Sequence, residues 1–181
     1  MNLHSQPQRI AFWLLPEEKE RARLQEIIDQ LADRLSAPRF IPHLTLLTRP
    51  ADDVADPASL LEHLTSRFGA LQLEVCGQAR SSSQFNQALV LPATTTPELD
   101  AVVSALHPLK IVPNGYAPHL SLLYAQLDPE IGRQLEQEFS SESFTARFDH
   151  CTAIDIGPGC RCQQDVEQWR TIATRRFSSG K

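Results

Sequence analysis

The chain is short of positive charge. Its 181 residues carry 17 Lys and Arg against 22 Asp and Glu, a formal net charge of -5. A long nucleic-acid tract is thereby disfavoured as a partner, because backbone binding needs a basic stripe that displaces counterions. A small anion held in a local pocket remains compatible with this balance. The chain also lacks any long apolar run, so no segment can span a bilayer and an ordinary soluble globular protein is expected. The first nine residues are polar and lack the positive-then-apolar pattern of a signal peptide, which makes the cytoplasm the expected compartment. Cysteine is scarce too: Cys76, Cys151, Cys160 and Cys162 are too few for a disulfide scaffold and would be mostly thiols there, with a regulatory pair left open. Two clustered thiols, Cys160 and Cys162, fall short of the four ligands a structural zinc usually takes. No metal and no cofactor are assigned.

What the chain does have is a repeat. Phe40-Ile41-Pro42-His43-Leu44-Thr45-Leu46-Leu47 returns 76 residues later as Tyr116-Ala117-Pro118-His119-Leu120-Ser121-Leu122-Leu123. The same offset carries Leu15-Pro16 onto Leu91-Pro92. A chain of this length holds one domain rather than two, so two fused half-size lobes are expected, over about 9–78 and 85–176.

The local signals agree with that division. Ile10 to Leu15 is a short continuous apolar run ended by Pro16, the pattern of a strand buried on both faces. Pro16-Glu17-Glu18 opens a helix whose stripe is Leu24, Ile27, Ile28, Leu31 and Leu35, with Pro38 ending it. A strand from about Ile41 to Thr48 follows. Asp56-Pro57 caps a helix with Leu60, Leu61, Leu64 and Phe68 facing inward and Gly69 closing it. Leu71 to Val75 alternates as a strand, and Arg80 to Gln84 reads as a turn. In the second copy Gln87 to Leu91 is a strand, Thr96-Pro97 caps a helix burying Leu99, Val102, Val103 and Leu106, and Pro113-Asn114-Gly115 turns into the second key strand. Asp128-Pro129 opens a helix with Ile131, Leu135 and Phe139 on its apolar side. Strands near 144–150, 152–156 and 166–174 complete the half, and the last few residues should fray. The fold class expected is α+β with pseudo-two-fold symmetry.

Side chains alternate along a strand, so His43 and Thr45 share one face while Leu44 and Leu46 take the other, and likewise for His119 and Ser121. About a pseudo-dyad, two imidazoles and two hydroxyls can converge on one cleft. That set suits in-line displacement at phosphorus. One neutral histidine can take a proton from the attacking water and a protonated one can deliver a proton to the departing alkoxide. The Thr45 and Ser121 hydroxyls can donate to the non-bridging phosphoryl oxygens. A single His-x-Thr on a strand is ordinarily half-exposed alternation. Core packing explains repeated leucine and proline, but not a histidine and a hydroxyl repeated at matched places.

With these motifs the sequence resembles the two-histidine (2H) phosphoesterase superfamily, marked by paired His-x-(Thr/Ser) motifs in two related lobes. Residues 38–45 and 118–125, with Trp13-Leu14-Leu15-Pro16 and Thr95-Thr96-Pro97-Glu98, look most like the plant and fungal cyclic phosphodiesterases. The resemblance implies a bilobal fold with antiparallel sheets flanking a central cleft. It also implies hydrolysis of ADP-ribose 1'',2''-cyclic phosphate to ADP-ribose 1''-phosphate, and of nucleoside 2',3'-cyclic phosphates to 2'-phosphates. His43, Thr45, His119 and Ser121 match the family's catalytic positions, and Tyr124, Trp13 and Phe85 fall where its members place aromatic groups around the ligand. Cys160-Arg161-Cys162 has no counterpart there.

The expected partner is thus a small cyclic nucleotide, bound by a monomer without a metal. Two alternatives stand beside it: an RNA 2',3'-cyclic phosphodiesterase of the 2'-5' RNA ligase type, and a nucleotide-binding module without catalysis. The acidic balance counts against the first, and two titratable groups where arginine would hold phosphate better count against the second. A zinc hydrolase using Cys160 and Cys162 is a more distant alternative. His4, His63, His107, Arg39 and Cys76 are read as surface or packing residues, and His150, in a late strand, is left unassigned.

Overall fold

A computed structural model of the chain describes residues 7–109, 111–141 and 143–178. His4 and the terminal residues expected to fray lie outside them. The elements run β1 Arg9–Pro16, α1 Glu18–Leu35, β2 Leu44–Pro50, α2 Pro57–Arg67, β3 Leu71–Val75, β4 Arg80–Ser81, β5 Leu89–Pro92, α3 Pro97–Leu106, β6 His119–Leu123, α4 Pro129–Phe139, β7 Phe144–Asp155, α5 Gln163–Glu167 and β8 Arg170–Arg176. The strands form one antiparallel sheet in the order β3-β7-β1-β2-β6-β5-β4, with β8 paired to β7. The architecture is α+β.

Helix starts follow their caps. Asp56 accepts from the amides of Ala58 and Ser59, Thr96 from Leu99, and Asp128 from Glu130, so three Pro-initiated helices each have an orphan donor satisfied. α1 begins without a side-chain cap and ends before Pro38, at Ser36 in the left-handed conformation. The expected inward residues of α3 are all buried. In α4 only Leu135 of the three is: Ile131 is exposed and Phe139 half-buried, because the helix lies against the short strand β4 through Gly132. A Cβ at Gly132 would stand 2.7 Å from the Ser81 hydroxyl, so the close approach requires glycine.

Several boundaries differ from the sequence reading. The first key strand starts at Leu44 rather than Ile41, since Pro42 has no N–H to give a ladder. Arg80 and Ser81 form a strand within the expected turn. The late strands 144–150 and 152–156 are one, since buried Cys151 and Thr152 continue the ladder. The stretch from Val166 first closes a short helix and only then enters β8.

Strand pairing also crosses the repeat boundaries 9–78 and 85–176. β7, which follows α4 in the second copy, inserts between β1 and β3 of the first. Helices are exchanged in the same sense: α1 contacts β6, and its counterpart α3 contacts β2. One apolar core extends through both halves, from Phe12, Leu14 and Phe148 to Leu89, Leu99 and Val102. The two key strands, β2 and β6, meet at the single pair Leu44 and Leu120, and that seam positions the site.

Candidate active site

Leu44 opposite Leu120 in an antiparallel pair sets His43 across from Ser121 and Thr45 across from His119. All four polar side chains therefore face one side of the sheet, where they line a cleft of about 150 Å³ together with Trp13 and Tyr124. The two imidazoles are held alike. His43 Nδ1 lies 2.7 Å from the Ile41 carbonyl and His119 Nδ1 lies 2.8 Å from the Ala117 carbonyl, each two residues back. A carbonyl only accepts, so both Nδ1 atoms carry their protons, and Nε2 is the atom that gains or loses one.

Strict alternation does not account for the rest of the lining. Along β1 and β2 the partners jump from Phe12 with Leu47 to Trp13 with Thr45, leaving Leu46 as the extra residue of a bulge. Along β5 and β6 they jump from Leu89 with Leu123 to Val90 with Ser121, leaving Leu122. The bulges are repeat equivalents, and each reverses the face of the residues after it. Thr48 and Tyr124, three positions beyond Thr45 and Ser121, are thereby returned to the cleft. Registers also revise the match between first strands. Trp13 pairs with Thr45 as Val90 pairs with Ser121, so Trp13 corresponds to Val90, one residue beyond the offset of the sequence repeat.

That single difference breaks the symmetry of the site. Trp13 stacks flat on His43, with ring centroids 3.7 Å apart and planes at 14°. The Tyr124 hydroxyl donates to His43 Nε2 at 3.3 Å, and Phe40 stacks behind Tyr124 at 4.0 Å. His43 is 4% exposed, and burial lowers its pKa from 6.5 to about 4, against the opposing bond to the Ile41 carbonyl and with a smaller push from His119. Tyr124 is held as a phenol, its pKa raised by burial. His119, with Val90 where the first half has Trp13, stays half-buried and open to solvent. Ser121 donates weakly to the Asn86 carbonyl at 3.3 Å.

Of the aromatic residues expected around a ligand, Trp13 and Tyr124 line the cleft. Phe85 instead packs behind Tyr124, with ring centroids 6.2 Å apart. Sequence reasoning missed Thr48, Asn86, Gln87, Cys160 and Trp169 in the wall. Trp169 meets Trp13 edge-on at 5.1 Å. Cys160 is kept as a thiol, its pKa pushed up to about 12 by burial and the nearby Asp165.

No family model matches the chain. A cyclic phosphodiesterase of Arabidopsis thaliana is 28% identical over 171 residues, covering 89% of this chain and 91% of the relative. Among solved structures, TT0787 of Thermus thermophilus aligns over 96% of this chain and 100% of its own, with a TM-score of 0.55 at 13% identity. Escherichia coli LigT complexed with 3'-AMP aligns over 96% and 99%, with a TM-score of 0.53 at 14% identity. The chain is similar to that cyclic phosphodiesterase over most of its length and shares the fold of LigT and TT0787, and these likenesses support its being an enzyme.

Other features of the chain lie apart from the cleft. Arg39 is exposed and paired with Asp29 and Asp33. His63 is exposed on α2, His107 accepts from the Leu109 amide at the end of α3, and His150 pairs with Asp149. Among the described residues no group of three or more His, Cys, Asp or Glu is placed to hold a metal. None of their helices is long and apolar enough to cross a membrane.

Proposed function

We propose that the cleft hydrolyses cyclic phosphodiesters of small nucleotides without a metal, opening ADP-ribose 1'',2''-cyclic phosphate to the 1''-phosphate and nucleoside 2',3'-cyclic phosphates to 2'-phosphates. The observation that carries this reading is the matched pair of imidazoles, each with Nδ1 fixed on a carbonyl and Nε2 turned to the same space as Thr45 and Ser121. The Arabidopsis relative is named a cyclic phosphodiesterase, which supports the reading at the level of the bond cleaved.

The asymmetry of the pair supports a division of roles. His43 is neutral at physiological pH and accepts a hydrogen bond at Nε2, the state a general base needs. It removes a proton from water as the water oxygen bonds to phosphorus. The opposite ring P–O bond breaks, and the leaving oxygen takes the Nε2 proton of solvent-accessible His119 in its imidazolium form. The negative charge of the bound phosphate draws the His43 pKa back toward neutrality, and exchange with solvent resets both rings. Thr45 and Ser121 donate to the non-bridging oxygens. None of the described residues lining the cleft is Lys or Arg, which suits a cyclic diester with one negative charge.

The test is incubation with adenosine 2',3'-cyclic phosphate in excess EDTA, read by phosphorus NMR, alongside His43→Ala and His119→Ala. Accumulation of the 2'-phosphate by the wild type alone is expected. Binding without turnover would support the non-catalytic module, and turnover of oligonucleotide ends alone would support the RNA-processing alternative.

A further inference from the structure

His119 and Gln87 stand where three cavities meet. The central one is the cleft. A second, about 490 Å³, is lined by Gln84, Asn114 and Tyr116 and, among the described residues, by no Lys or Arg. The third, about 280 Å³, is lined by Arg80, Ser82 and Val90 together with those two. Arg80 thus brings a cation to a surface adjoining a cleft that otherwise has none. β4 pairs Arg80 with Val90, and β5 pairs Val90 with Ser121, so the three lie in one row across the sheet and on one face. Two strand spacings, roughly 10 Å, separate the Arg80 and Ser121 backbones, a gap that an extended arginine spans in large part. Among the described residues no carboxylate, carbonyl or ring engages the Arg80 guanidinium. The acidic neighbour of β4, Glu136, accepts from the Ser81 amide and hydroxyl, and Ser81 points to the opposite face.

We infer that Arg80 forms a second anion subsite, which takes a phosphate of the substrate outside the cyclic ester, on the 5' side of the nucleoside. The inference rests on the reading of the cleft as the cyclic-phosphate site. An unpaired guanidinium offers a fork of donors that matches phosphate oxygens, and Ser82 and Gln87 line the same cavity. The amide-lined cavity is left for the neutral base. The preferred substrate then carries two separated phosphates rather than one.

Calorimetric binding of adenosine 2',5'-bisphosphate and adenosine 2'-monophosphate tests this without requiring turnover. The wild type should bind the bisphosphate about tenfold tighter, Arg80→Gln should bring the ratio near one, and Arg80→Lys should restore part of it. A wild-type ratio near one, or an unchanged ratio in Arg80→Gln, would overturn the subsite. Absence of hydrolysis in the EDTA assay would overturn only the catalytic reading. The source of the anion is then identified by kcat/KM on three cyclic phosphates: one carrying a 5'-phosphate, one ending a dinucleotide, and that of ADP-ribose. The arm losing most in Arg80→Gln names the group that Arg80 holds, and an equal loss on adenosine 2',3'-cyclic phosphate, which lacks the second anion, would count against the subsite.

Discussion

The buried imidazole of His43 should make the stability of the protein fall in mild acid. In the unfolded chain His43 titrates near 6.5, whereas in the fold burial beneath Trp13 lowers its pKa to about 4. Between those values the unfolded state binds the extra proton, so stability is highest above pH 6.5 and declines as pH falls toward 4. At about 1.4 kcal/mol per unit the full loss is about 3 kcal/mol, of which about 2 is incurred by pH 5. The perturbation is His43→Asn, which keeps a donor for the Ile41 carbonyl and removes the titration. Urea unfolding of both proteins at pH 7 and pH 5 gives the measurement. The wild type should lose about 2 kcal/mol more than the variant over that interval. An equal loss in the two proteins would refute the claim that His43 is held neutral by its surroundings.

Replacing Trp13 with Leu should let water reach the imidazole and return the His43 pKa toward 6.5, followed by NMR titration of its ring protons; a value still near 4 would shift the cause from Trp13 to Phe40 and Tyr124. Thr45→Ala and Ser121→Ala should each lower kcat by about 100-fold with folding intact, as expected for lost donors to transition-state oxygens, and steady-state kinetics that showed only a raised KM would count against that role. Gly132→Ala places a methyl against the Ser81 hydroxyl and should cost about 1–3 kcal/mol in thermal or urea unfolding, with α4 displaced from β4.

Much of this was legible in the chain because it depends on neighbours in sequence. The Asp-Pro and Thr-Pro caps fixed helix starts, and the repeated Pro-His-Leu-(Thr/Ser) marked His43, Thr45, His119 and Ser121 because packing gives no reason to duplicate a histidine. What escaped depends on pairing between distant strands. The bulges at Leu46 and Leu122 reverse the face of Thr48 and Tyr124, and a bulge leaves no mark in a run of leucines. Tyr124 was reached through the family resemblance, whereas Thr48 was not. The insertion of β7 between β1 and β3 brings Ile154 and Ile156 beside Trp13, and Trp169 and Cys160 reach the cleft wall from the loop and short helix after β7. Nothing local announces such a crossing.

The one-residue shift between the copies bears on how a duplicated motif would serve the acid–base reaction proposed for it. Two identical imidazoles facing one phosphate would compete for the same protonation state, each lowering the other's hold on a proton, as His119 already does for His43. Hydrolysis needs one ring bare and one protonated at the same moment. The fold supplies symmetric anchors, the Ile41 and Ala117 carbonyls, and then separates the environments through the strand next door, with indole over His43 and a valine beside His119. Tyr124 widens the difference by donating to His43 Nε2, while Thr48, its counterpart in the repeat, is too short to offer a matching phenol to His119. Duplication therefore accounts for the positions of the four polar groups, and divergence at Trp13 and Tyr124 accounts for the distinct environments on which their proposed roles rest.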